Sequence, residues 1–281
     1  MMFQYDFMQH AFLAGTAVAI MCGIIGVYVI ARGLAFITHT FSHVGFAGAA
    51  FAVFMSWNPL AGMLLFTTTA AVSIGGLGAK VFRKDIPISV VLSIVLGLGL
   101  LFLSLTKGQS NAMMALLFGS IVGIDASQVY EMFGLAVGIL VVLILGYRML
   151  TFDSFDPVGA ESAGLPTRFI SIAFLLLLSI SVAEALQIVG ALLVFTLMTT
   201  PAAAAFSLTK SVSRMLLFSA VFAVIGVWSG LTLSFYTNAP VSFYIAAVEA
   251  VLYFACRGWQ VWREKMLPSV KPEHVSVSTE M

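Results

Sequence analysis

The sequence predicts an all-α integral membrane protein, a polytopic bundle of about eight or nine transmembrane helices plus one short re-entrant helix. Three observations predict it. Hydrophobic residues make up 61% of the chain and charged residues 9%, with a mean hydropathy of +1.08, whereas a soluble domain carries about 25% charged residues. The apolar residues fall into runs long enough to span a bilayer as helices, not into the short alternating segments of a barrel. Finally, all but Lys107 of the 13 basic residues gather at one side of the spans so defined, the bias expected of cytoplasmic loops.

Taken in order, the first span covers 7–31 and stops at Arg32. The second, 33–55, ends at Trp57-Asn58-Pro59. The third covers 60–82 and ends at Arg83-Lys84-Asp85, and the fourth covers 87–105. A polar bend follows at 107–111. The apolar stretch 112–124 is too short to span and reads as the re-entrant or interfacial helix. The fifth span, 126–147, ends at Arg148. A polar segment, 151–168, separates it from an upward span at 169–183 and a downward one at 187–206. Glu184-Ala185-Leu186 forms a break or tight turn between those two. The eighth span covers 215–235 and the ninth 241–255. Residues 1–258 thus form a transmembrane domain, and 259–281 a polar, partly disordered tail. The positive-inside bias puts the N-terminus outside and the C-terminus in the cytoplasm.

Cys22 and Cys256 lie far apart in apolar runs and read as small core hydrophobes. The N-terminus shows neither the basic region nor the cleavage site of a signal peptide, so none is expected. Phosphate-binding glycine loops and catalytic nucleophile contexts are missing from the sequence, and no nucleic-acid partner is expected. Energy for any driven transport would come from another chain.

The chemistry concentrates in the second span. His39 and His43 lie four residues apart, with no cationic residue between Arg32 and Lys80. Positions i and i+4 share one helix face, with Cβ atoms about 6 Å apart, and two imidazoles so placed can chelate one transition-metal ion. At 1.5 Å per residue from Gly33, they sit about 9 and 15 Å into the bilayer. Ionisable groups at such depth are costly and usually line a pathway; a hydrogen-bonded packing role is the alternative. Gly45 and Gly48, with Ala47, Ala49 and Ala50, favour close packing of this helix against protein.

Other features have weaker signals. Gly190 and Pro201 bracket an apolar stretch containing Thr196, Thr199 and Thr200. Pro201 frees the carbonyls of Leu197 and Met198, which could line a pore or merely mark a kink. In 151–168, Asp156 is an N-cap with Pro157 at the first helical position, and Gly164 can end the helix before Pro166. Such a short, punctuated helix, including Gly159 and Glu161, suits docking of a soluble partner. Glu184 is placed near the outer end, where it could attract cations and lend a ligand. Glu249, in the middle of the ninth span, is a packing residue or a site. His10 and His274 read as solvated.

In combination, four segments resemble the permease subunit of metal-ion (zinc, manganese or iron) ABC importers over residues 5 to 260. They are Ala35-Phe36-Ile37-Thr38-His39-Thr40-Phe41-Ser42-His43, Leu116-Leu117-Phe118-Gly119-Ser120-Ile121, Phe155-Asp156-Pro157 with Gly164-Leu165-Pro166, and Val189-Gly190-Ala191-Leu192-Leu193-Val194 with Pro201-Ala202-Ala203. Ser42 and His43 match the family pattern, while His39 stands where the family usually has Asp. The resemblance implies a type II importer-like permease in a bacterial inner (plasma) membrane, working as a homodimer with cytoplasmic ATP-binding subunits and an extracytoplasmic metal-binding protein. It further implies that Asp156, Pro157, Gly159, Glu161 and Gly164 couple to the ATPase, that Ser42, Gly190 and Pro201 belong to the pore or gate, and that the 39 and 43 side chains face the dimer axis and hold the passing ion. No cofactor is bound permanently; the metal is cargo.

With imidazole at both positions a dimer offers nitrogen and no oxygen, which favours zinc over manganese or iron. Only neutral imidazole ligates, so transport should fall as pH drops through the histidine range. The rival readings are a proton- or sodium-driven secondary transporter using Glu184 and Glu249, and a non-transporting membrane subunit.

Overall fold

The structure, a computed structural model, describes residues 5–77, 85–106, 116–119, 126–237 and 239–266. The expected bend at 107–111, most of the short apolar stretch 112–124, and the tail beyond 266 with His274 lie outside the described residues. No strand occurs among the described residues. Among the described residues, eight helices are long and apolar enough to cross a membrane: α1 (Asp6–Ala31), α2 (Ala35–Phe54), α3 (Pro59–Leu77), α4 (Asp85–Leu105), α5 (Ala126–Leu145), α8 (Thr167–Val189), α10 (Val212–Thr237) and α11 (Val241–Met266). Three shorter helices, α6 (Tyr147–Phe155), α7 (Pro157–Ser162) and α9 (Val194–Leu208), complete the order.

Helix is the only open-chain conformation that satisfies every backbone polar group inside hydrocarbon. The interior hydroxyls follow the same rule. Thr38, Thr40, Ser42 and Thr67 each donate to the carbonyl four residues earlier, at 2.9–3.2 Å, so none needs an interhelical partner.

The core is built on α1, α2 and α8, the most buried spans. α3 and α4 flank α2; α5 lies against α1; α10 packs on α1 and α9; α11 closes against α9 and α10. Tyr28, Phe41, Phe46, Phe174, Met21 and Ile25 fill the centre. The outer faces carry exposed apolar residues, such as Val90, Ile94, Leu98 and Leu101 on α4 and Phe133, Val137, Val141 and Ile144 on α5. These suit lipid and not water. As the run of small residues predicts, α2 is held close to its neighbours: Gly48 lies backbone-to-backbone on Gly62 of α3, and Gly45 lies under Leu186 of α8.

Two expectations are corrected. The chain does not break at Glu184-Ala185-Leu186. α8 runs unbroken from Thr167 to Val189, and the break comes at Gly190, φ +80°. The second half of the expected pair is α9, 15 residues long, about 22 Å and short of a full ~30 Å crossing. Pro201 sits inside α9 without ending it. Glu184 consequently lies within a packed helix and is fully buried, not at an entrance. Elsewhere, the polar segment after the fifth span is largely helical, α6 and α7 following a bend at Gly146, and α11 continues through the expected boundary at 258 to Met266.

The irregular backbone after α8 finds its own partners. Ala191 N–H donates to Leu116 O at 3.0 Å and Leu192 N–H to Leu117 O at 3.3 Å. A side chain at Gly190 would meet the Gly119 amide and the Leu117 carbonyl, and Gly119 (φ +81°) is equally crowded against Ile188 O. Replacing Gly190 by Ala should therefore cost at least the 1–3 kcal/mol typical of strained non-glycine backbone, read as a lower unfolding temperature in detergent. Gly33→Ala, also at positive φ (+68°) but with nothing within 4 Å of the added atom, should cost less.

Candidate metal site

On α2 the burial pattern is one-sided. Ile37, Thr38, Phe41, Ser42, Val44 and Gly45 face protein, while Phe36, His39 and His43 share a partly open face. The two imidazoles turn toward each other, with their Nε2 atoms 3.4 Å apart, ring centroids 4.6 Å apart and planes at 69°. His39 stacks on Phe36 one turn below, centroids 6.4 Å apart, and meets Phe195 of α9 edge-on at 5.4 Å. Its Nδ1 is buried with no hydrogen-bond partner among the described residues. The contacts with Phe36 and Phe195 and the Nε2···Nε2 contact with His43 together set the ring's orientation.

Two ligand nitrogens in a tetrahedral zinc site, each about 2.0–2.1 Å from the metal, lie about 3.3–3.4 Å apart. The pair is thus already spaced for chelation through Nε2. Two donors do not complete a site, and among the described residues no group of three or more His, Cys, Asp or Glu side chains could hold an ion.

The other expected residues are placed as follows. Ser42 lies on the buried face of α2 and donates to Thr38 O at 3.1 Å, away from the histidine face. The Met198 carbonyl abuts Gly26 of α1, and Leu197 is fully buried, so this part of α9 is turned into the core. Its partly open side carries Phe195, Thr196, Thr200 and Ala203, adjoining His39 through Phe195. Glu184 is not grouped with the histidines; its carboxylate is buried with no hydrogen-bond partner among the described residues, within electrostatic reach of Cys22. Glu249 is likewise buried, against Gly226 of α10. His10 is half-buried near the start of α1. Phe36 and Phe195 are site neighbours that sequence reading missed. Phe36 had a signal, three residues before His39 on the same face; Phe195 had none.

A sequence model of the ABC 3 transport family matches residues 4–258. The chain belongs to that family. This ABC 3 permease is 31% identical over 252 residues to the "Manganese transport system membrane protein MntC" of Listeria innocua, covering 89% of this chain and 90% of the relative. It is 28% identical over 251 residues to the "Manganese import system permease protein ScaB" of Streptococcus parasanguinis, covering 89% of each. In fold it is similar to the structure described as PsaBC from Streptococcus pneumoniae in complex with Fab, with a TM-score of 0.83 at 24% identity over 92% of this chain and 96% of that one. It is a permease of the metal-ion ABC importer type.

The capped helix of this ABC 3 permease forms as its sequence punctuation predicts. The Asp156 carboxylate accepts the Gly159 N–H at 2.9 Å, Pro157 opens α7, and Gly164 (φ +75°) follows its end. Ala160 is buried, while Asp156, Pro157, Val158 and Glu161 are exposed. Beside α7 lies a groove of about 570 Å³ lined by residues including Arg148, Phe152, Phe155 and Asp156. A six-residue helix depends heavily on its cap. Asp156→Ala should cost about 1 kcal/mol locally, seen as roughly fivefold faster hydrogen exchange at the Gly159 amide, with the spans unaffected.

Proposed function

We propose that this chain is the membrane-spanning subunit of an ATP-driven importer in a bacterial plasma membrane, that it carries a divalent transition metal, zinc before manganese, and that His39 and His43 are the mid-membrane ligands. The observation that carries this reading is the 3.4 Å spacing of the two Nε2 atoms on the open face of α2. The half-complete donor set supports a homodimer: two copies meeting on that face would offer four imidazoles, and fewer while the faces are apart. A site built this way can take the ion and also release it, as conduction requires.

In this reading an extracytoplasmic binding protein delivers the ion to the outer face. The imidazoles replace part of its hydration shell. Cytoplasmic ATP-binding subunits act at α7, whose exposed residues and adjoining groove form a docking surface. The basic residues at the span ends, Arg148, Arg168, Lys210, Arg214 and Arg263 among them, support a cytoplasmic assignment for that side and an outside N-terminus.

Manganese is the second reading, favoured by the names of the relatives from Listeria and Streptococcus. The donor chemistry separates the two: imidazole suits zinc, and manganese prefers oxygen. In vesicles holding the complete transporter, His39→Ala and His43→Ala should each lower zinc uptake by at least the roughly tenfold that losing even a supporting group around a metal costs. His39→Asp should raise manganese uptake relative to zinc. Full zinc uptake by a correctly folded double Ala variant would overturn the ligand assignment. Accumulation driven by an ion gradient without ATP would overturn the importer class in favour of a secondary transporter.

A further inference from the structure

The basic residue that ends α1 is not simply a membrane-edge charge. Arg32 is partly buried, and its guanidinium joins three elements. Its Nη2 lies 2.6 Å from Asp153 Oδ2, its Nε donates to Ser154 Oγ at 2.7 Å, and its Nη1 donates to Ser171 Oγ at 3.3 Å. The guanidinium carbon sits 4.9 Å from the centroid of the Phe174 ring. The side chains of Arg32 and Asp153 are 9% and 5% exposed. Asp153 and Ser154 are in α6, and Ser171 and Phe174 are in α8.

The position in the chain gives this knot its interest. Asp153 comes three residues before Asp156, the cap of α7, and α6 leads into α7 with only Asp156 between. Arg32 comes three residues before Ala35, where α2 begins, and α2 carries the histidines. Only Gly33 and Leu34 intervene. Gly33 has positive φ, its N–H donates to Ile30 O at 3.1 Å, and the Leu34 N–H donates to Val29 O at 2.9 Å, so this short link ties the start of α2 to the end of α1 that Arg32 anchors. A buried ion pair is weak evidence for stability, because apolar replacements of similar volume are often neutral or stabilising. Its directional bonding is better suited to holding elements in register.

We propose that the Arg32–Asp153 ion pair is a coupling strut that carries movement of α7 through α6 to the end of α1, and from there to α2 and its histidine pair. The strut rests on the reading of α7 as the ATPase docking helix. Pushing α7 displaces Asp153 and Ser154. The fork of Arg32 follows them, and the short Gly33-Leu34 link passes the displacement to the first turn of α2. Arg32 and Asp153 are positioning residues; neither touches the ion.

The test uses the complete transporter, permease with its ATP-hydrolysing subunit, in proteoliposomes, with zinc and manganese each offered as the ion. Both ATP hydrolysis and uptake are measured. Arg32→Met with Asp153→Leu should leave the protein folded and hydrolysing ATP, while ions moved per ATP fall about tenfold, the usual scale of coupling between sites. Arg32→Lys, which keeps the charge and removes the fork, serves where the double variant is poorly folded, and should lower the same ratio. An unchanged ratio in the folded variant overturns the strut. Val158→Asp, at a 74% exposed position of α7, tests the docking reading separately. Loss of the ATPase subunit supports docking and leaves the ratio to decide the strut. Retention of the subunit with normal uptake overturns docking, and the strut with it.

Discussion

Every backbone N–H and C=O that enters hydrocarbon must find its partner inside the protein, and this constraint shapes the chain more than any side-chain contact does. It explains why the described residues are helix with short turns, and why even the hydroxyls of α2 bond back to their own helix. It also explains where irregular backbone is tolerated. The turn after α8 lies against Leu116–Gly119 and donates the Ala191 and Leu192 N–H groups to the Leu116 and Leu117 carbonyls. Glycines at 119 and 190 allow the two backbones to approach closely enough for those bonds. Leu116, Gly190, Ala191 and Leu193 are buried, while Phe118 and Leu192 stay exposed, so the non-helical stretch is only partly shielded by protein.

The same packing sets the geometry of the histidine pair. α2 is clamped by α3 at Gly48 and Gly62 and by α8 at Leu186, which fixes its rotation about its own axis. With Ile37, Phe41 and Val44 committed to the core, residues 36, 39 and 43 have to face the open side. The tilt of His39 between Phe36 and Phe195 then aims Nε2 at His43. Small residues on one face thus determine the chemistry of the other. On the proposed metal reading, an ion held here would have ligands on a rigid helix and an incomplete shell, a combination that would keep binding specific without making it permanent.

Much of this was legible in the sequence, because helical periodicity is local. The i, i+4 spacing of His39 and His43 could be read directly, as could the Asp-Pro start of α7 and the tight packing implied by Gly45 and Gly48. The misplaced break shows the limit of such reading. A glutamate in an apolar run looks like a span end to any count of hydropathy, yet Glu184 is enclosed by neighbouring helices, and Gly190, with its positive φ, is where the chain turns. Burial is decided by helices distant in sequence. Phe195 touches His39 across more than 150 residues, and Asp153 meets Arg32 at a separation of 121. No local pattern encodes either contact. The basic residues illustrate the same point: charge bias sorted them to one side, but could not separate the exposed Arg148 from the partly buried Arg32.

These long-range contacts also bear on how the proposed docking helix and the histidine face could be linked. The open histidine face needs α2 rigid, and the exposed α7 needs freedom to respond to what binds it. Helix α2 is gripped along its length by α3, α4 and α8, so it moves as a unit if it moves at all. The Gly33-Leu34 link at its start is hydrogen-bonded back to the last turn of α1, so a displacement of that end would be passed on to α2. A guanidinium bonded to both α6 and α8 stands immediately before that link. A small shift there would rotate or tilt α2 as a body, and so change how its two imidazoles face any other donors. An incomplete ligand set is sensitive to such a shift in a way that a closed four-ligand cage would not be. If the proposed metal reading holds, the weakness of the site and the rigidity of its helix would be parts of one arrangement, in which affinity is set by position.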